Sequence, residues 1–156
     1  MPVTKIKEFL DANNVKYLCI RHSRAFTAQE IAAAAHIPGK EMAKTVILVV
    51  DGKTAMAVLP ASHKIDFEKF KKETGSSRVA LPSESKFIDQ FPGCEAGAMP
   101  PFGNIYDVDV YVSSALAEDD QIAFNACTHS EVIQMFYSDY QRLVKPKVYD
   151  FSEKLS

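Results

Sequence analysis

The stretch Thr45-Val46-Ile47-Leu48-Val49-Val50-Asp51-Gly52-Lys53-Thr54-Ala55-Met56-Ala57-Val58-Leu59 decides the fold class. Two apolar runs flank Asp51-Gly52, a pair that accepts the positive φ of a two-residue hairpin turn. The spacing predicts strands at residues 45–50 and 54–59, the first buried by its length and β-branching. A hairpin of this kind is antiparallel, so strict βαβ alternation is excluded and an α+β or mixed-sheet domain is expected.

Working outward, Thr27 with Glu30 three positions on forms a capping box, opening a helix through the alanines to His36 that Pro38-Gly39 stops. Ahead of it, Val3, Ile6, Phe9 and Leu10 repeat at helical spacing, and residues 15–20 read as a strand. Beyond the hairpin, Asp66 opens a basic helix through Lys72 that ends near Gly75. Residues 78–81 read as a short strand, and Ser83 caps a helix toward Gln90. Strands are predicted at 108–112, 121–125 and 132–136, and a helix at 138–144 that Lys145-Pro146 breaks, leaving a short tail.

At 156 residues, 47% hydrophobic and 24% charged, the chain fits one globular domain. No apolar run approaches the ~20 residues of a membrane span. The first residues enter an amphipathic pattern directly, without a signal-peptide core, so a cytoplasmic location is expected. A net charge of −2 speaks against wholesale nucleic-acid binding and leaves a local basic patch open. Cys19, Cys94 and Cys127 are scattered and odd in number, and the histidines lack metal-ligand spacing. A disulfide framework and a structural zinc are both disfavoured.

The segment Gly97-Ala98-Met99-Pro100-Pro101-Phe102-Gly103 carries no charge and sets two prolines and an aromatic between glycines. Successive prolines remove donors and fix φ, so it is neither helix nor central strand. A stiff apolar loop remains: a rigid connector, or one whose glycines turn N–H groups toward a ligand. Lys44 stands at the mouth of the buried strand. Its stem either snorkels along the surface, or its ammonium is desolvated and stabilises an oxyanion or orients a carbonyl or phosphate. His129 lies in the polar connection Asn125-Ala126-Cys127-Thr128-His129-Ser130, where a solvated or capping histidine is the plainer reading and no acid is visible as its partner. His22 closes a strand, and His63 approaches a helix. Cys94 and Cys127 read as small buried hydrophobes in preference to nucleophiles. Lys64, Lys69, Lys71, Lys72, Arg78 and Lys86 form a solvated face or a set of phosphate contacts.

Taken together and in this order, Ala43-Lys44-Thr45-Val46, the loop 97–103, Ile122-Ala123-Phe124-Asn125-Ala126 and His129 resemble the YbaK/ProXp family of free-standing aminoacyl-tRNA deacylases. That family is similar to the insertion domain of bacterial prolyl-tRNA synthetases. The resemblance implies one compact α+β domain over residues 1–156, its sheet mixed, largely antiparallel and barrel-like, with flanking helices. It implies a trans-editing hydrolase that uses water to cleave the ester between a wrong amino acid and the terminal adenosine of a tRNA. Lys44 and backbone N–H groups near Gly97 would stabilise the oxyanion. The substrate pocket would be lined by His129, Thr45, Asn125, His22 and Cys127, with Met99, Pro100, Pro101, Phe102 and Gly103 from the loop. No metal or organic cofactor is expected. The implied partners are the acceptor end of misacylated tRNA and an aminoacyl-tRNA synthetase, with no membrane and no DNA. Family members often carry glycine where this chain has Cys127, so the amino acid removed stays open among alanine, cysteine, serine and threonine. The alternative is a non-catalytic module that captures tRNA ends or a synthetase through the same pocket.

Overall fold

A computed structural model of the chain describes residues 2–22, 27–91, 94–95 and 98–155. In chain order its first half comprises α1 (Pro2–Ala12), β1 (Tyr17–Arg21), α2 (Ala28–Ala34), β2 (Ala43–Val50), β3 (Lys53–Pro60), β4 (His63–Ile65) and α3 (Phe67–Thr74). Then come β5 (Val79–Ala80), α4 (Glu84–Phe87), β6 (Asp109–Ser113), α5 (Ser114–Ala117) and β7 (Gln121–Asn125). The chain closes with β8 (Glu131–Phe136), α6 (Tyr137–Val144), β9 (Lys147–Tyr149) and β10 (Ser152–Lys154).

The hairpin forms as predicted: β2 and β3 pair from Val50↔Lys53 to Ala43↔Pro60, with Asp51 and Gly52 at φ 47° and 86° in the turn. Asp51 also clips the next strand, its Oδ1 accepting the N–H groups of Ser77 and Arg78 at 3.0 and 2.8 Å. The capping box on α2 closes in both directions. Asp66 caps α3, and Gly75 ends that helix at φ 73°.

Three sheets result. β5-β2-β3-β6-β9 is mixed, with β6 parallel to both neighbours, while β1-β8-β7 and the ribbon β10-β4 are antiparallel. Among the described residues one parallel bridge, Met42–Ala123, joins the backbones of the three- and five-stranded sheets. The barrel-like closure expected of the sheet is therefore not complete: beyond that bridge the two sheets face each other and exclude water between them. Ile47, Met56 and Val110 from one meet Ile122, Phe124 and Ile133 from the other, sealed by Ile6 and Leu10 of α1 and Tyr140 of α6. On the outer face of the five-stranded sheet, Phe70 of α3 makes edge contacts with Tyr111 and Phe151. Outside the three-stranded sheet, α2 packs Ile31, Ala32 and Ala35 on Ala123 and Val132.

Two expectations fail at the C-terminus and after the hairpin. The short tail is in fact β9 and β10, which add an edge strand to the large sheet and a partner to β4. The segment around His63 is that strand β4, not the approach to a helix. The helix expected toward Gln90 is α4 continued by a 3-10 turn at Ile88–Gln90.

Gly103 begins a 3-10 turn packed on β6, where a Cβ would meet the Val108 carbonyl oxygen and Val110 Cγ2, both at 2.5 Å. Its role is close approach. Gly103→Ala should cost about 1–3 kcal/mol through overpacking, read as a lowered urea midpoint at unchanged m-value; an unchanged midpoint would show that β6 yields without penalty.

Candidate active site

The junction of β2 with β7 builds the site. At the Met42–Ala123 bridge, Ala123 N–H donates to the Glu41 carbonyl at 2.9 Å. Met42 and Ala123 both pack toward α2. Side chains two residues on in a strand point to the same side, so Lys44 and Asn125 project together past the end of that cluster. Lys44 is half-buried, and burial pushes its ammonium below the ordinary lysine value. Among the described residues it has no ion-pair partner. Asn125 is 8% exposed, and its Oδ1 is buried with no hydrogen-bond partner among the described residues. An unpaired buried amide oxygen costs on the order of 1–3 kcal/mol, so Asn125 offers an acceptor whose burial calls for a partner. His22 follows Ile20, which also packs in the α2 cluster, and its backbone N–H donates to the Ser130 carbonyl at 3.0 Å.

The turn between β7 and β8 supplies the second part. His129 is 6% exposed, and the Glu95 carboxylate lies 2.8 Å from its Nδ1 while accepting its backbone N–H at 2.9 Å. An ionised carboxylate only accepts, so Nδ1 carries a proton in this contact. Sequence reasoning missed this pairing, which spans 34 residues. One signal was available: Glu95 is the lone charged residue between Phe91 and Gly103.

Glu95 and Ala98 are themselves anchored on Cys127, which accepts the Glu95 N–H and donates to the Ala98 carbonyl, each at 2.9 Å. Gly97 lies outside the described residues. Cys127 adopts φ 71°, a conformation that favours glycine. The same backbone exchange brings Cys94 and Cys127 side by side, and the two are joined as a disulfide, leaving Cys19 as the free thiol. The sequence-based expectation of unpaired cysteines is corrected here: alternation and count do not reveal a contact made by two loops. Cys127 offers no thiol to a substrate in this state.

The rest of the loop faces inward. Met99, Pro100, Pro101, Phe102 and Gly103 are all buried. Phe102 packs against Phe9, Phe124 and Tyr140 at 5.8, 5.3 and 5.3 Å between ring centroids, and the Tyr140 hydroxyl donates to the Pro101 carbonyl at 2.7 Å. The N–H groups of Ala98 and Phe102 are used within the segment, on the Glu95 and Pro100 carbonyls. Thr45 alternates to the same inner side as Ala43 and Ile47, away from Lys44. The structure thus gathers Lys44, Asn125 and His22 on the outer, α2 side and His129 with Glu95 at the adjoining turn, while Thr45 and residues 99–103 belong to the core behind them. Among the described residues, no three His, Cys, Asp or Glu side chains are arranged to hold a metal.

Residues 22–143 match the aminoacyl-tRNA editing domain family, a span running from His22 through Lys44, Glu95, Asn125 and His129. The chain belongs to that family. As an editing domain it is similar to the multifunctional Ser/Thr-tRNA deacylase ProXp-y of Escherichia coli (strain K12), 29% identical over 114 residues that are 70% of this chain and 68% of that protein. It is also similar to the proline–tRNA ligase of Bacillus mycoides (strain KBAB4), 27% identical over 89 residues, 57% of this chain but 16% of the ligase. A solved structure of a candidate trans-editing enzyme for prolyl tRNA synthetase superposes with a TM-score of 0.81 at 16% identity, covering 97% of each chain. The hypothetical protein APE2540 superposes with a TM-score of 0.83 at 18% identity, over 96% of this chain and 99% of that one. At such identities these two structures establish the editing-domain fold.

Glu95→Ala strips two buried His129 donors of their acceptor and should destabilise the protein by about 1–3 kcal/mol. Glu95→Gln keeps an amide oxygen at the same reach and should lose less. Chemical denaturation of both variants measures the difference; equal losses would mean the carboxylate's acceptor role is not what holds His129.

Proposed function

We propose that the protein is a trans-editing hydrolase that deacylates misacylated tRNA. Water attacks the ester carbonyl and the bond to the ribose oxygen breaks; one of the water's protons goes to that oxygen and the other to solvent as the amino acid leaves as a carboxylate. The observation that carries this reading is the Lys44 ammonium, half-buried and without an ion-pair partner among the described residues, in a chain of the editing-domain family.

Such a charge is poorly solvated before the reaction and gains a counter-charge only as the tetrahedral oxyanion forms, so its stabilisation is concentrated in the transition state. Backbone N–H groups near Gly97 are the second set of oxyanion donors in this scheme. Since the N–H groups of Ala98 and Phe102 are spent within the loop, those donors are other members of the segment. Asn125 Oδ1 accepts a hydrogen bond from the aminoacyl moiety, and His129, held by Glu95, lines the same pocket. Serine and threonine esters are the first substrates to test, because the Escherichia coli relative is named for them. The protein works on tRNA that a synthetase has mischarged, proline–tRNA ligase being the synthetase its relatives suggest. We place it in the cytoplasm; among the described residues no helix is long and apolar enough to cross a membrane.

A panel of mischarged tRNAs tests the reaction. Lys44→Ala should lower the deacylation rate by about 10²–10³ with its circular dichroism unchanged. A wild-type rate in that variant would remove Lys44 from the mechanism, and binding of uncharged tRNA without turnover of any ester would favour a capture module instead.

The Lys44 shift has a fixed sign. Its folded-state value lies below 10.5, so the unfolded chain binds more protons in the window between the two values and stability rises with pH there. Below the window the full penalty of the half-buried charge is present. Lys44→Met should therefore melt higher than wild type at about pH 7, with the gap narrowing as pH approaches 10.5. A gap independent of pH would show that the charge is not the cause.

A further inference from the structure

We propose that His63 and Lys154, the facing pair of the β4–β10 ribbon, hold a backbone phosphate of the tRNA beside its aminoacylated end, next to Lys44. This rests on the reading of the protein as a tRNA deacylase. The terminal adenosine carries a 5′ phosphate on the same ribose that bears the ester, so a phosphate site within one nucleoside of the catalytic lysine is what the substrate would use.

The ribbon is built unevenly. On one face Lys64 and Glu153 are paired at 3.5 Å and neutralise each other. On the other, Lys154 stands directly across from His63, basic opposite basic. No acidic group faces Lys154 across the ribbon, and among the described residues Lys154, like Lys44, has no ion-pair partner. An arriving anion supplies the counter-charge that this face lacks.

The histidine ring is held for such a task. Its Nδ1 lies 2.9 Å from Ser152 Oγ, which lies 2.6 Å from Ser113 Oγ. Both serines are nearly inaccessible, at 7% and 1% exposure, and Ser113 also accepts the Ala115 N–H at 3.3 Å. This run of hydroxyls occupies Nδ1 and leaves Nε2 for a ligand.

The same run fixes the distance to Lys44. Lys44 faces Leu59 across β2 and β3, and continuing the β3–β6 register past Val58↔Val112 sets Leu59 beside Ser113. Lys44 and Ser113 therefore share a sheet face two strands apart, about 10 Å, with Ser152 and His63 over Ser113. The groups that act on the ring are Lys154 from β10 and Lys44 from β2, with Ser152 as its hydrogen-bond partner. Burial first, then the two lysines, lower the histidine's pKa. In the free protein the ring is thus biased toward its neutral form, and a bound phosphate opposes the two lysines and raises that pKa.

The test uses adenosine 5′-monophosphate and adenosine as probes, following the His63 ring by NMR across a pH titration of the whole protein. The monophosphate should raise the His63 midpoint, and adenosine should not. In deacylation assays, Lys154→Gln and His63→Gln should each lower kcat/KM about tenfold, through KM. Lys154→Gln should also reduce the log–log salt slope by about one, which a structural role would not do. Lys154 is exposed, so its variant keeps the test valid if His63→Gln fails to fold. Equal responses to the two probes, no response at His63, or an unchanged KM and salt slope in Lys154→Gln would overturn the site. If the wild-type protein answers the monophosphate through His63 while every ester decays at its spontaneous rate, the phosphate site stands and the deacylase reading falls.

Discussion

Two consecutive residues, Glu41 and Met42, bind both large sheets at once. The Glu41 carbonyl accepts from Ala123 in the three-stranded sheet, and the Met42 carbonyl accepts from Ala61 at the end of β3 at 2.7 Å. Backbone hydrogen bonds are directional, so this pair sets the relative placement of the two sheets, and with it the neighbours of Lys44. The hydrophobic contacts between the sheets supply the bulk of the burial, but they are non-directional and would tolerate a slide. The bridge is what turns Lys44 and Asn125, each two residues beyond it, to the same side.

From that junction the molecule divides into an inner and an outer part. The proline-rich loop belongs to the inner part: Phe102 and Met99 are core side chains, and Gly103 is a contact too tight for a methyl group. Its stiffness serves to carry Glu95 and Ala98 to the backbone of Cys127. The half-buried ammonium of Lys44 lies on the outer side of the sheet, away from that core. A family-like segment can thus support a site without lining it, through the anchor points at its N-terminal end.

Features carried by neighbouring residues were legible in the sequence. The Asp51-Gly52 hairpin, the Thr27–Glu30 capping box and the Asp66–Gly75 bounds of α3 each depend on groups a few residues apart, and each formed as read. Lys44, Asn125 and His129 were reached through the order of motifs along the chain. Contacts made by loops distant in sequence were not legible. Glu95 meets His129, and Cys94 meets Cys127, only because two turns exchange backbone hydrogen bonds. β9 and β10 were missed for a different reason: each has three residues, too few for alternation to show.

The pairing of β4 with β10 joins residues 89 apart, as the Ser152–His63 contact does. Synthesis at about 5–20 residues per second puts several seconds between the two strands. During that interval the nascent chain can carry a finished β2–β3 hairpin whose outer face, Lys44 included, still lacks Phe151 and the last strand to cover it. β1 waits longer still, since it pairs with β8 from Arg21↔Glu131 to Tyr17↔Met135, across a larger gap in the sequence. The outer face of the hairpin is thus complete only once residues 151–154 have joined it.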